Sequence, residues 1–304
     1  MLDKNIASIF KDAELQEAFD KNGFVKISFL SPEKVQQLYS NFTAHQKAHE
    51  AIESRYLATT HTNDPDLIRN INQEIKAVVV NELDRYFMDV EPMMCTYITK
   101  QPGEGSETKF HQDPTFVDET KYVSANIWIA LHDINHENGN LFFVKGTHRF
   151  MPSLRVTPDC PTAYDNVKDL LHEHLTEVPV KAGDAIIINH SVMHGATPNF
   201  SEGLRIAAVM AIRSKGSEWI YHYLERGAPF DKIEKYKVNL DTFVSLEKDG
   251  RPTKAQFDEY VTWDFPKMSR EAFISAMDNM HNKGPFARYK RQLQLLKQRF
   301  FAKG

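Results

Sequence analysis

Gly183-Asp-Ala-Ile-Ile-Ile-Asn-His190-Ser-Val-Met-His194-Gly195 runs from a glycine turn through a short apolar run into a loop that carries two histidines. Four to eight apolar residues bounded by turn signals read as a buried strand. A second strand follows at once, Leu204-Arg-Ile-Ala-Ala-Val-Met-Ala-Ile-Arg213. Side chains alternate across a strand. Leu204, Ile206, Ala208, Met210 and Ile212 therefore make one apolar face. Arg205, Ala207, Val209 and Ala211 share the other, where small residues leave room for a cavity. An arginine projecting into a cavity calls for a carboxylate, which its planar fork binds with two parallel hydrogen bonds.

Working outward, the whole span from about 91 to 213 reads as β-structure. Strands are expected at MMCTYITK (93–100), VSANIWIAL (123–131), LFFVK (141–145) and EVPV (177–180), besides the two above. Gln101-Pro-Gly-Glu-Gly, Glu137-Asn-Gly, Lys145-Gly-Thr and Lys181-Ala-Gly-Asp supply the turns between them. Many short strands with such turns indicate a sandwich or barrel. Val123, Ala125, Ile127, Ile129 and Leu131 form one face of their strand, with Ser124, Asn126 and Trp128 on the other. Residues 1–90 read as mainly helical. Leu15, Ala18 and Phe19 begin one helix, Ser31-Pro32 opens a second, and Leu67 to Leu83 continues a third. Residues 214–304 are expected to return to helix and loop, ending in the basic amphipathic stretch RYKRQLQLLKQRFFAK. No clean linker divides the chain, so a single domain over 1–304 is expected, a β-core about 91–213 with helical elaborations 1–90 and 214–304.

Composition narrows the function classes. With 41% apolar and 26% charged residues the chain has the profile of a globular enzyme. A net charge of -4 gives no support to a nucleic-acid-binding role. Cys95 and Cys160 sit in no CxxC pair and read as reduced thiols of a cytoplasmic protein. The charged N-terminus is no signal peptide, and no stretch is apolar enough to span a bilayer.

Phe110-His111-Gln112-Asp113 carries the metal chemistry. A histidine and an aspartate two apart on extended backbone point to the same side and reach one cation. One histidine from the 190–194 loop completes two imidazoles and a carboxylate. Such a facial set leaves three positions open on iron(II). A closed structural zinc site wants four protein ligands, usually with cysteine. The residues alone leave both His190 and His194 as the distal ligand. Beside that site, Arg205 becomes a candidate clamp for the distal carboxylate of 2-oxoglutarate, and Asn126 a candidate polar contact in the pocket. His132, His136 and His148 read as strand-end or turn residues, His172 and His174 as solvated loop, and Asn138-Gly139 and Gly146-Thr147 as turns.

In three stretches the chain resembles the phytanoyl-CoA dioxygenase family: HQD at 111–113, NIWIALHDINHENGNLFFVKGTHR at 126–149 and GDAIIINHSVMHGATPNFSEGLRIA at 183–207. The resemblance implies a double-stranded β-helix (jelly-roll, cupin-like) fold with iron(II), 2-oxoglutarate and molecular oxygen as cosubstrate. It carries the metal ligands onto His111, Asp113 and His194, the 2-oxoglutarate carboxylate onto Arg205, and places Trp128 beside the cosubstrate. Gly195 after the histidine favours His194 over His190. Where the family often has a serine after His-Gly, this chain has Ala196, and Thr197 is the candidate substitute for the cosubstrate contact.

The implied reaction is hydroxylation of an unactivated C–H bond, with 2-oxoglutarate decarboxylated to succinate. The carboxylate at 113 argues against halogenation, which needs a small residue there. The substrate is expected to be a small molecule: an amino-acid-like metabolite or an acyl intermediate. Lys283, Arg288, Lys290, Arg291, Lys297, Arg299 and Lys303 would suit an acyl carrier protein or CoA phosphates, but a solvated helix face is the simpler reading. No nucleic-acid or membrane partner is expected, and the chain is read as a monomer or homodimer. Two alternatives are a cupin-like metal enzyme that does not use 2-oxoglutarate, against which Arg205 argues, and a non-catalytic binding or sensing relative, against which the intact triad argues.

Overall fold

A computed structural model describes residues 8–50, 54–151, 154–158, 162–246 and 250–281. Cys160 and the basic stretch from 283 onward lie outside the described residues. In chain order the helices are α1 (Ala13–Asn22), α2 (Pro32–Glu50), α3 (Pro65–Tyr86), α4 (Lys168–Glu173), α5 (Leu240–Ser245) and α6 (Arg270–His281). The strands are β1 (Phe24–Ser28), β2 (Tyr56–Ala58), β3 (Val90–Lys100), β4 (Thr108–His111), β5 (Ser124–Ala130), β6 (Leu141–Val144), β7 (Leu175–Val178), β8 (Asp184–Asn189), β9 (Met193–Ala196), β10 (Arg205–Ser214), β11 (Ile220–Tyr223), β12 (Ile233–Lys237) and β13 (Phe257–Val261).

The N-terminal helices form where capping chemistry starts them and an apolar stripe holds them. Asp12 accepts from the backbone N–H groups of Glu14 and Leu15 to start α1, and Gly23, at φ 82°, ends it. Asp64 caps α3 with Pro65 behind it, and Ile68, Ile71, Ile75, Val78, Val79 and Leu83 make its buried stripe. Ile71, Ile75, Val78, Val79 and Leu83 of that stripe pack with Ala125, Ile127, Ala185, Ile187, Ala208, Met210 and Ile212, one face of a large sheet. Truncating Ile71 or Ile75 to alanine would cost roughly 2–5 kcal/mol.

The large sheet has six antiparallel strands in the order β1-β8-β5-β10-β3-β2, and a smaller sheet runs β4-β9-β6-β7. Trp128, Ile186, Ile188, Ala207 and Val209 of the large sheet share a second core with Leu141, Phe143 and Ala196 of the small one. The two sheets thus face each other across the inner faces that alternation assigned to β5 and β10, as in a jelly roll. The β-core and flanking-helix architecture agrees with the sequence reading.

The tail is a correction. Helix and loop were expected over 214–304, yet β11-β12-β13 form a third sheet there. The outer strand, exposed from Phe257 to Tyr260, carries charge where a sequence reader looks for apolar alternation. Shorter shifts are local: EVPV at 177–180 pairs as Leu175–Val178, and β2, β4 and β9 were too short to announce themselves. Among the described residues no helix is long and apolar enough to cross a membrane.

Candidate metal centre

β4 and β9 pair antiparallel with His111 directly opposite His194. That register brings two residues far apart in sequence side by side, with ring centroids 4.3 Å apart. The close pairing needs Gly195: a Cβ there would lie 2.5 Å from the Thr108 carbonyl oxygen and 2.5 Å from the Phe142 ring. Asp113 follows β4 by two residues and turns its carboxylate to both rings, 3.6 Å from His111 Nε2 and 3.9 Å from His194 Nε2. One donor atom from each of the three lies within 4.8 Å of the others.

The two imidazoles are oriented alike. His111 Nδ1 donates to the Lys109 carbonyl at 2.9 Å and His194 Nδ1 to the Val192 carbonyl at 3.0 Å. A proton fixed on Nδ1 leaves the Nε2 lone pair free on the side of Asp113. Burial pushes His194 down to about 4, with the charge of His111 adding to the shift. For His111 burial pulls the same way, but the hydrogen bond and charge of Asp113 outweigh it and raise the value. Burial would raise Asp113, but His194 and His111 hold it well below the ordinary carboxylate range. Two imidazole nitrogens and an ionised oxygen form the donor set that borderline divalent metals take with positions to spare. The group fits iron(II) and does not fit a four-ligand structural zinc site.

Asp113 is held on every side. Asn126 Nδ2 donates to its Oδ2 at 2.9 Å, its N–H donates to the His190 carbonyl at 2.8 Å, and its own carbonyl accepts from Arg155 Nε at 2.7 Å. Arg155 is in turn fixed by a two-pronged ion pair with Glu119, at 2.7 and 2.6 Å, with both side chains buried. Asn126 therefore supports the carboxylate itself, where the sequence suggested only a pocket contact. His190 stands apart from the cluster: its Nδ1 lies 2.8 Å from Ser124 Oγ, and its buried Nε2 has no partner. His136 faces Glu177 in its turn, and His172 ends α4 against Phe110 instead of lying in a loop.

A second polar site lies along the same sheet. Tyr56 pairs with Lys100 across β2 and β3, and Lys100 pairs with Arg205 across β3 and β10. The three side chains share one face. Arg205 is buried, with Nε and Nη1 lacking any partner. Its guanidinium lies 5.4 Å from the Trp128 ring. Lys100, fully buried, donates to the carbonyls of Thr197 at 2.8 Å and Ala196 at 3.2 Å. Burial, then the nearby Arg205, pushes Lys100 down to about 6. Burial brings Arg205 down to about 10 and Tyr56 up to about 12. An unpaired buried cation is costly, and the Arg205 guanidinium, with Lys100 and Tyr56 as neutral donors beside it, suits an anion. Thr197 does not face this row freely: its hydroxyl lies 3.0 Å from Asn140 Oδ1 and 3.2 Å from the His136 carbonyl.

Sequence reading missed Tyr56, Lys100, Arg155 and Glu119. Lys100 ends an apolar strand that pairs with the strand of Arg205, and pairing is not visible from one strand's periodicity. Tyr56 sits in a strand of three residues, too short for any period.

Comparison with known proteins follows this geometry. A family model described as phytanoyl-CoA dioxygenase (PhyH) matches residues 19–207. Phytanoyl-CoA dioxygenase 1 of Oryza sativa subsp. japonica is 31% identical over 137 residues, 44% of this chain and 49% of that protein. Phytanoyl-CoA dioxygenase domain-containing protein 1 of Mus musculus is 31% identical over 168 residues, 52% of this chain and 57% of that protein. The matched part thus spans about half the length of these relatives. Among solved structures, the epimerase SnoN in complex with Fe3+, alpha ketoglutarate and nogalamycin RO superposes with a TM-score of 0.53 at 16% identity, covering 83% of this chain and 97% of that one. EctD from S. alaskensis, with 2-oxoglutarate and 5-hydroxyectoine, gives 0.51 at 19% identity, covering 75% and 87%. These two share the fold of this chain.

Proposed function

The chain belongs to the phytanoyl-CoA dioxygenase family, and from that premise we propose that it is a non-haem iron(II)- and 2-oxoglutarate-dependent dioxygenase that hydroxylates an unactivated C–H bond of a small organic molecule. The observation that carries this reading is the meeting of His111, Asp113 and His194 donor atoms within 4.8 Å. The buried Arg205 on the same inner face, its Nε and Nη1 without a partner, supports it.

His111 Nε2, His194 Nε2 and an oxygen of Asp113 would hold the iron. When bound, iron(II) supplies oxygen activation coupled to decarboxylation of 2-oxoglutarate to succinate and carbon dioxide. Arg205 would bind the distal carboxylate of the cosubstrate, with Lys100 and the Tyr56 hydroxyl beside it in the same row and Trp128 covering the guanidinium. Asn126 holds Asp113 Oδ2, which keeps the carboxylate from swinging away from the two rings. A carboxylate at 113, held by the Asn126 amide, favours hydroxylation over chemistry that needs an added halide.

The test is succinate release from 2-oxoglutarate by the iron-loaded protein. Release should require iron and fall to background in His111→Ala, with circular dichroism unchanged. Undiminished, iron-independent release by that variant would reject the assignment.

A further inference from the structure

A cavity of about 250 Å³ opens beside Asp113 and Asn126. Its wall is built from Met94 and Ile98 of β3, Val209 and Ala211 of β10, and Leu240 and Phe243 of α5. Phe243 anchors an aromatic cluster: it stacks on Trp219 at 4.7 Å and meets Phe116 and Tyr221 edge-on at 5.8 and 5.7 Å. Edge and face packing of this kind gives a stiff apolar wall.

The charge inventory is equally informative. Among the described residues lining this cavity, Asp113 is the only carboxylate, and there is no lysine or arginine. Tyr221 donates its hydroxyl to the Gly250 carbonyl at 3.0 Å, and Thr96 to the Tyr97 carbonyl at 3.1 Å. Thr60, Thr157 and the exposed His61 also border the space, and Tyr56 closes the end that adjoins the Arg205 row assigned to the cosubstrate. A second cavity, of about 170 Å³, touches His111 and Arg155, but Arg155 is committed to Glu119. A carboxylate or phosphate drawn in would lose its water without gaining a counter-ion, and with Asp113 committed to the metal an ammonium would fare no better.

Resting on the oxygenase reading above, we infer that the substrate presents an uncharged, mostly apolar body to the metal, its polar groups limited to neutral hydroxyl or carbonyl functions. Of the two substrate classes left open by the sequence, an amino-acid-like zwitterion does not match this wall, and a charged carrier group has to stay outside the cavity. Phe243 is the specificity-determining residue that shapes it, with Ala211 of the same apolar cluster leaving space beside it.

Three probes with one skeleton test this: 4-isopropylbenzyl alcohol, 4-isopropylbenzoate and 4-isopropylbenzylammonium. Each is titrated into the anaerobic iron(II)–2-oxoglutarate protein, reading the visible charge-transfer band, and separately into the metal-free protein, reading tryptophan fluorescence. In the iron-loaded protein the alcohol should bind at least about tenfold more tightly than either ion, and in the metal-free protein at least about tenfold more tightly than the benzoate. Phe243→Ser should weaken it about tenfold without loss of the band, and Ala211→Asp should turn the preference toward the ammonium. An ion binding as well as the alcohol, or no member binding, overturns the inference, as does an unaltered order in both variants. If no band forms but the alcohol still binds selectively by fluorescence, the oxygenase reading fails and the cavity assignment stands.

Discussion

The two polar ends of the inner face are charged oppositely and balanced differently. At the Asp113 end, one carboxylate faces two imidazoles, an asparagine amide and backbone groups, all from the protein itself. At the Arg205 end, a buried guanidinium lies on the strand next to Lys100, whose charge burial disfavours, with carbonyls, an indole and a phenol near them. Among the described residues no carboxylate pairs with either. A charge compensated within the fold needs no ligand to be tolerated, whereas an uncompensated one is held at a cost that a ligand of opposite sign removes. The difference separates a preorganised metal cradle from a socket waiting for an anion.

The largest effect expected is at the balanced end. His194→Ala should lower iron affinity by more than about a hundredfold, beyond what loss of an outer contact does. His190→Ala, four residues earlier and bonded to Ser124, should keep its iron. Metal content after anaerobic loading and desalting reads both. Equal loss in the two variants would erase the distinction between ligand and neighbour.

Arg205→Met sharpens the contrast at the other end. It should raise the 2-oxoglutarate concentration needed for half-maximal turnover about ten- to hundredfold, the scale of a lost charge-assisted pair. Without ligand the same variant should melt at a higher temperature than the wild type, because an unpaired buried charge is gone. A lower melting temperature in the absence of 2-oxoglutarate would show that the guanidinium is already satisfied. Glu119→Gln tests the support behind the cradle. Loosening Arg155 from the Asp113 carbonyl should reduce iron affinity about tenfold with little change in the 2-oxoglutarate requirement.

The smallest effect is a pH dependence. Lys100 titrates near 6 in the fold against an ordinary value of 10.5. Between those values the unfolded chain holds a proton that the folded chain does not, so stability rises with pH across that window. The melting temperature of the wild type should therefore climb relative to Lys100→Met between pH 7 and pH 10. A constant difference over that range would mean that Lys100 is charged in the fold.

Much of this was legible in the sequence because it rests on local patterns. The alternation of β5 and β10 separated Ala208 and Met210 from Arg205 and Val209, and the two cores divide along that line. His111 and Asp113 stood two apart on extended backbone, and a glycine followed His194. What escaped depends on pairing between distant strands. Nothing in YLA at 56–58 announces that it will lie beside Lys100, nor in Arg155 that it will reach back to Asp113. The β11-β12-β13 sheet was missed because its outer strand is charged and exposed, so it lacks the apolar period that marks a strand.

The account turns on His111, Asp113 and His194 sharing one ferrous ion that keeps adjacent positions open for 2-oxoglutarate. Anaerobic titration of 2-oxoglutarate into the iron(II)-loaded protein, followed by visible absorption, reads that directly. A charge-transfer band that saturates at one equivalent of iron, and is missing in His194→Ala, is the result expected. Iron bound without any such band, or a band of full intensity in His194→Ala, would contradict it.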